Sequence, residues 1–104
     1  MQEIHFDNRT FSRYPAGRYR TDGKWSGEKF RDEILSHFIA NGEKTTIFLD
    51  EAQGFGSSFL EEAFGGLIRK GITFATFQSL VSLRSDDSSL LEEIETYMLD
   101  AQGE

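Results

Sequence analysis

Ser57 and Ser58 stand where a strand-like run gives way to a helical pattern, and that position gives them chemistry. The start of a helix carries unpaired backbone N–H groups and the positive end of the dipole, so a phosphate there is stabilised. Ser58 with Glu61 also fits the S-x-x-E capping box, in which serine and glutamate each satisfy a free N–H. A cap, a phosphate acceptor, or both are open at this point. The same stretch supplies Glu61, Glu62, Gly65, Gly66 and Arg69 on one predicted helix. Two glycines inside a helix cost about 1 kcal/mol each relative to alanine. Close approach of another backbone would offset that, whether from the chain's own elements or from a docking partner. This face, with Gly56 and Phe59 beside the serines, is the expected partner-binding surface.

A second stretch, Arg18 to Glu28, collects Arg18, Arg20, Asp22, Lys24, Ser26 and Glu28 around two glycines. Two readings stand: a structural turn with Arg20 or Arg31 paired to Asp22 or Glu28, or a site for a nucleotide or another anion. It lacks both G-x-x-x-x-G-K-[S/T] and G-x-G-x-x-G after a strand. The only histidines, His5 and His37, lie in no recognisable motif. The carboxylate pairs 61–62 and 92–93 are adjacent in sequence and diverge on a helix. Cysteine is absent, no H-x-x-x-H occurs, and Asp86-Asp87 is not a calcium loop. No catalytic residue, metal or cofactor is expected, and the chain does not read as an enzyme.

The elements that must position these residues are legible from periodicity. Gln2 to Phe6 alternates polar and apolar and predicts an edge strand. Asn8 to Ala16, with the single proline Pro15, reads as strand then turn. Gly17 to Thr21 predicts a second strand turning at Asp22-Gly23. If it pairs with residues 2–6, the sheet gains an antiparallel edge. Ser26 caps a helix from about Gly27 to Ala40, with Phe30, Ile34, Leu35, Phe38 and Ile39 inward. Thr45 to Leu49 predicts a short strand covered on both faces. Phe59, Leu60, Ala63, Phe64, Leu67 and Ile68 form the stripe of the next helix, which stops at Gly71. Residues 72–79 suit a strand or a short helix. Leu80 to Leu83 predicts a strand. A last helix, with several competing caps over 86–89, turns Leu90, Leu91, Ile94, Tyr97 and Met98 inward. The order gives an α/β domain: a small mixed sheet with helices packed on it.

Two segments carry a resemblance. Gly56-Ser-Ser-Phe-Leu-Glu-Glu-Ala-Phe-Gly-Gly-Leu-Ile-Arg69 resembles the signature of a STAS-like family of unknown function. Arg20-Thr-Asp-Gly-Lys-Trp-Ser-Gly-Glu-Lys-Phe-Arg31 resembles that family's other segment, R-x-D-G-x-x-S-G-E-x-F-R. Members are similar to the bacterial anti-sigma-factor antagonists. The resemblance implies helices mainly on one face of the sheet. It also implies a regulatory protein-binding role in signalling, with a histidine-kinase-like ATPase as the partner that phosphorylates a serine at this strand-to-helix junction. Ser58 aligns with that serine, and Ser57 is its neighbour. The antagonists typically have Asp-Ser-Ser-Gly here, whereas this chain has Gly56 and Phe59 in the flanking places. An acidic group would have to come from Asp50 or Glu51, and Glu61 and Glu62 would oppose the added charge.

Length and charge set the outer bounds. A chain of 104 residues makes one domain with one modest core. The net charge of −7 is uneven. Residues 1–31 hold seven Lys and Arg against four Asp and Glu, and the remainder hold four against fourteen. The acidic balance argues against nucleic acid as a partner. With no membrane-length apolar run and no signal-peptide pattern, the expected setting is cytoplasmic. Sequence does not fix the oligomeric state.

Overall fold

A computed structural model describes residues 1–103. Strand β1 (Gln2–His5) pairs in parallel with β2 (Thr45–Phe48), and β2 pairs in parallel with β3 (Val81–Arg84), in the order β1-β2-β3. Helix α1 (residues 27–40) connects the first two strands. Helix α2 (residues 57–69) and α3 (Phe74–Leu80) connect the second and third, and α4 (Ser88–Gln102) closes the chain. Crossovers between parallel strands are right-handed in nearly all cases. Two crossovers of one hand, both stepping the same way across the sheet, deliver their helices to one face.

That arrangement splits the strands cleanly. Ile4, Ile47 and Leu83 lie in register, as do Gln2, Thr45 and Val81. Ile4, Ile47 and Val81 of this face belong to the buried core, with Phe30, Leu35, Phe59, Phe64, Leu67, Ile94 and Met98 from the helices. The opposite face carries Glu3, Thr46 and Ser82, then His5, Phe48 and Arg84. Three of these six, Glu3, Ser82 and Arg84, are exposed. The strand expected to be covered on both faces, β2, is buried at Thr45, Thr46 and Ile47 and half-buried at Phe48, although helices pack against one face of the sheet only.

No strand forms over residues 8–21, and the described sheet has no antiparallel edge. The chain there folds back on the start of α1 instead. Ala16 N donates to Trp25 O at 3.0 Å, Gly27 N to Gly17 O at 2.9 Å and Glu28 N to Arg18 O at 3.0 Å. Asp22-Gly23 is thus no hairpin turn. It ends a single 3₁₀ turn, Arg20–Asp22, in which the Asp22 carboxylate accepts from Tyr19 N. Local turn chemistry favours a reversal, but here burial of Phe11 and Pro15 and the first free N–H groups of α1 decide which partner the segment takes.

The ambiguous stretch resolves into α3, capped by Thr73, whose hydroxyl accepts from Thr76 N at 3.1 Å. Phe77 drops from it into the core and meets Phe64 edge-on. Among the competing caps of the last helix, Asp87 is used, accepting from Ser89 N and Leu90 N.

Gly27 sets the distance between α1 and α2. A Cβ there would stand 2.5 Å from the Phe59 carbonyl oxygen and 3.2 Å from Ala63 N, both backbone atoms. Gly54, by contrast, has nothing within 4 Å of a Cβ. Gly27→Ala should lower unfolding free energy by about 1–3 kcal/mol through overpacking. Gly54→Ala should leave the urea midpoint unchanged or slightly raised. Equal midpoints for the two variants would refute this account of α1–α2 packing.

Candidate functional site

Helix α2 begins just beyond the carboxyl edge of the parallel sheet, where open α/β folds commonly place their ligands. After β2 the chain makes a 3₁₀ turn (Leu49–Glu51) and crosses residues 52–56 to reach Ser57. Gly56, in extended backbone, is the N-cap. The predicted capping box at Ser58 does not form. Ser57 and Ser58 are the first two helical residues, and the Glu61 carboxylate is taken by Arg18 and Arg69 instead of the helix start. Both serines are exposed. In α4 the Tyr97 hydroxyl donates to Glu93 at 2.7 Å. The Ser58 hydroxyl makes no hydrogen bond among the described residues, and its helix position leaves it directed at solvent.

Beneath the serines lies an ion-pair network. Arg18 Nη1 donates to Glu61 Oε1 at 2.6 Å and to Glu62 Oε1 at 3.3 Å. Arg69 donates to both Glu61 oxygens, at 2.6 and 3.0 Å. Arg31 of α1 pairs with Glu62 Oε2, donates to the Glu62 carbonyl at 3.3 Å and reaches Asp32 at 2.8 Å. Arg31 and Glu62 are 4% and 8% exposed, so this pair is effectively inside the protein. Each belongs to a wide π-type turn in its helix, over Phe30–Leu35 and Glu61–Gly65. Gly66 makes the room: a Cβ there would lie 2.6 Å from Arg31 Nη1 and 3.0 Å from Glu62 Oε2. Gly65 does the same for Glu61 and the Tyr97 carbonyl. The close approach that offsets the glycines comes from the protein's own elements.

The residues expected on an outward docking face are therefore mostly interior. Phe59, Glu62, Gly65 and Gly66 are buried, Glu61 is half-buried, and only Gly56, the two serines and Arg69 are exposed. Apolar and small residues on every side of α2 make it a central helix, and heptad-like reading cannot tell a buried glycine face from a solvent face. The basic segment is likewise engaged. Arg20 pairs with Glu33 and, at 3.6 Å, Asp32, while its backbone N donates to Glu28. Asp22 caps its own turn, Ser26 is fully buried as the N-cap of α1, and Lys24 lies 5.3 Å over the Trp25 ring. Neither expected pairing of Arg31, with Asp22 or with Glu28, occurs; it turns inward to Glu62. Asp50 holds Ser85 and the Asp86 N–H, and Glu51 holds His5 and Arg9, so neither attends Ser58.

Sequence reasoning missed one cluster. His5 stacks on Phe48 with ring centroids 4.8 Å apart. Its ring nitrogens meet Glu3 at 2.8 Å and both Glu51 oxygens at 2.9 and 3.0 Å. Glu3, two residues before His5 on the same strand face, was a readable signal; Glu51 was not, being 46 residues away.

A family model described as "STAS-like domain of unknown function (DUF4325)" matches residues 26–91. The chain belongs to this family. The match spans α1, β2, α2, α3 and β3, and so takes in Arg31, both serines, Glu61, Glu62, Gly65, Gly66 and Arg69, while Arg18, Arg20, Asp22 and Lys24 precede it. No curated protein and no solved structure matches the chain.

Two outcomes follow from the STAS-like domain's ion pairs. Glu62→Gln leaves Arg31 buried beside a neutral partner and should cost about 3–5 kcal/mol in urea unfolding. Arg69, aided by Arg18 and opposed by partial burial, holds Glu61 below the usual glutamate range. A depressed folded pKa contributes stability that is present above the unfolded value, near 4.5, and is lost as pH falls through the folded one. Melting temperature should therefore drop on acidification below that point, and Glu61→Gln should flatten this part of the profile. An identical slope in the variant would contradict the assignment.

Proposed function

We propose that this STAS-like domain is a non-catalytic regulatory module that docks onto another protein, with Ser58 as a phospho-acceptor for a histidine-kinase-like ATPase. One observation carries the reading. Ser58 sits in the first turn of a thirteen-residue helix, exposed and without a hydrogen bond, because Gly56 has taken the capping position. A serine needed only as a cap would be engaged with the backbone, and this one is not.

The surroundings suit an added phosphate better than the linear sequence suggests. Glu61 and Glu62 lie three and four residues on, hence on the same side of the helix. Both are already matched by Arg18, Arg69 and Arg31. Arg18, about a third exposed, ties the 16–28 segment to this helix. A phosphate on Ser58 would compete with Glu61 for that guanidinium, drawing on the helix dipole as well. The docking surface is the exposed rim around Gly54, Gly56, Ser57 and Ser58 at the carboxyl edge of the sheet, with Arg69 at the helix's far end. A phosphate within that rim would alter both its shape and its charge.

The test is parallel capture from the native host's lysate with wild type, Ser58→Glu and Ser58→Ala, each checked for fold by circular dichroism, followed by phosphosite mapping. The expected result is a histidine-kinase-like ATPase retained by wild type, recovered about tenfold less with Ser58→Glu, and phosphate mapped to Ser58. Equal recovery by wild type and folded Ser58→Glu would overturn the switch.

A further inference from the structure

The carboxyl edge of the sheet holds a second constellation. His5 is the last residue of β1, Asp7 follows two residues on, and Glu51 ends the 3₁₀ turn after β2. The strand register sets His5 beside Phe48, which brings the two chain segments together. One ligand-type atom from each of His5, Asp7 and Glu51 lies within 4.8 Å of the others.

We propose that His5, Asp7 and Glu51 form a binding site for a first-row divalent cation of the zinc or manganese kind. The donor set is one imidazole nitrogen and two carboxylates, with no thiolate, which suits these ions. Donors around such an ion at about 2.0–2.2 Å stand roughly 3.4 Å apart. Closing from the observed spacing takes side-chain rotation and no movement of the strands. The imidazole is already oriented. Its ring is stacked on Phe48, its backbone N–H donates to Thr10 Oγ1 at 3.1 Å, and Glu3 takes Nε2. A carboxylate on the outer nitrogen is how ligating histidines are commonly held, and it directs Nδ1 at the ion. Nδ1 faces Glu51.

Arg9 is the competitor. Its Nη2 stands 2.7 Å from Asp7 and 3.1 Å from Glu51, so a guanidinium bridges the two carboxylates that would hold the metal. Arg9 is 61% exposed, and exposed ion pairs of this kind are weak. The site therefore exchanges cations: a metal enters as the Arg9 side chain swings out to solvent and the proton between His5 Nδ1 and Glu51 is released to water. This cluster shares no residue with the ion-pair network under α2, so its fate is independent of the Ser58 reading.

The experiment is calorimetric titration of the purified chain with Zn²⁺ and Mn²⁺, with Mg²⁺ as a control, alongside thermal-shift measurement. Wild type should take up one equivalent of Zn²⁺ or Mn²⁺ with a rise in melting temperature. His5→Ala and Glu51→Gln should abolish it, and Glu3→Gln should weaken it by about 10- to 100-fold. Arg9→Ala should tighten binding, the one result that a merely structural ion-pair cluster does not give. Bound Mn²⁺ should show nitrogen coupling by pulsed EPR, lost in His5→Ala. No uptake at millimolar metal by folded wild type and folded Arg9→Ala overturns the proposal. So does uptake that persists in folded His5→Ala and Glu51→Gln, since the ion then sits elsewhere.

Discussion

The Arg31–Glu62 pair joins the two central helices from inside, and much of the fold is arranged to make it tolerable. Burying two charges is costly unless each is paired and its remaining hydrogen-bonding capacity is met. Arg31 meets this with three acceptors: the Glu62 carboxylate, the Glu62 carbonyl and Asp32. Glu62 has Arg18 and Arg69 on its other oxygen. The consequence reaches outward, because Arg18 belongs to the segment that closes on α1 and Arg69 to the last turn of α2. No buried side-chain nitrogen or oxygen among the described residues lacks a partner.

Space for the charges is taken from the helices themselves. Gly66 gives the Arg31 guanidinium its berth, and Gly27 lets α1 approach the backbone of α2. Glycine in a helix weakens it locally, yet both helices are held by aromatic packing around them. Phe30 meets Phe6, Phe11, Phe59 and Phe64 with ring centroids between 5.0 and 6.2 Å apart. The core thus supplies the rigidity that the glycine positions give up. With α2 enclosed in this way, its first turn and the loop leading to it remain open to solvent.

A three-stranded parallel sheet bearing helices on one face only is a consequence of its connections. Parallel sheets are usually covered on both faces. Here both crossovers step in the same direction, and the second face is left with Glu3, His5, Thr46, Phe48, Ser82 and Arg84. Polar side chains and one stacked His–Phe pair make that face compatible with water.

By itself, the sequence determined the three major helices, all three strands to within a residue, their apolar stripes and their order. These follow from short-range periodicity: Phe59, Leu60, Ala63, Phe64, Leu67 and Ile68 repeat at helical spacing, and all are buried. The family also was legible in the sequence. Tertiary structure decided what each polar residue does. Ser58 read as a cap because Glu61 stands three residues on, but Arg18, 43 residues from Glu61, and Arg69 took that glutamate, leaving the cap to Gly56. The 17–21 segment read as a strand because turn residues follow it, but α1's free N–H groups claimed its carbonyls. His5 read as partnerless because Glu51 reaches it only through the parallel pairing of β1 and β2. Hydrophobic burial is set by local spacing, whereas a charge or a hydrogen bond goes to whichever partner the folded chain brings near, and that partner has no fixed distance along the sequence.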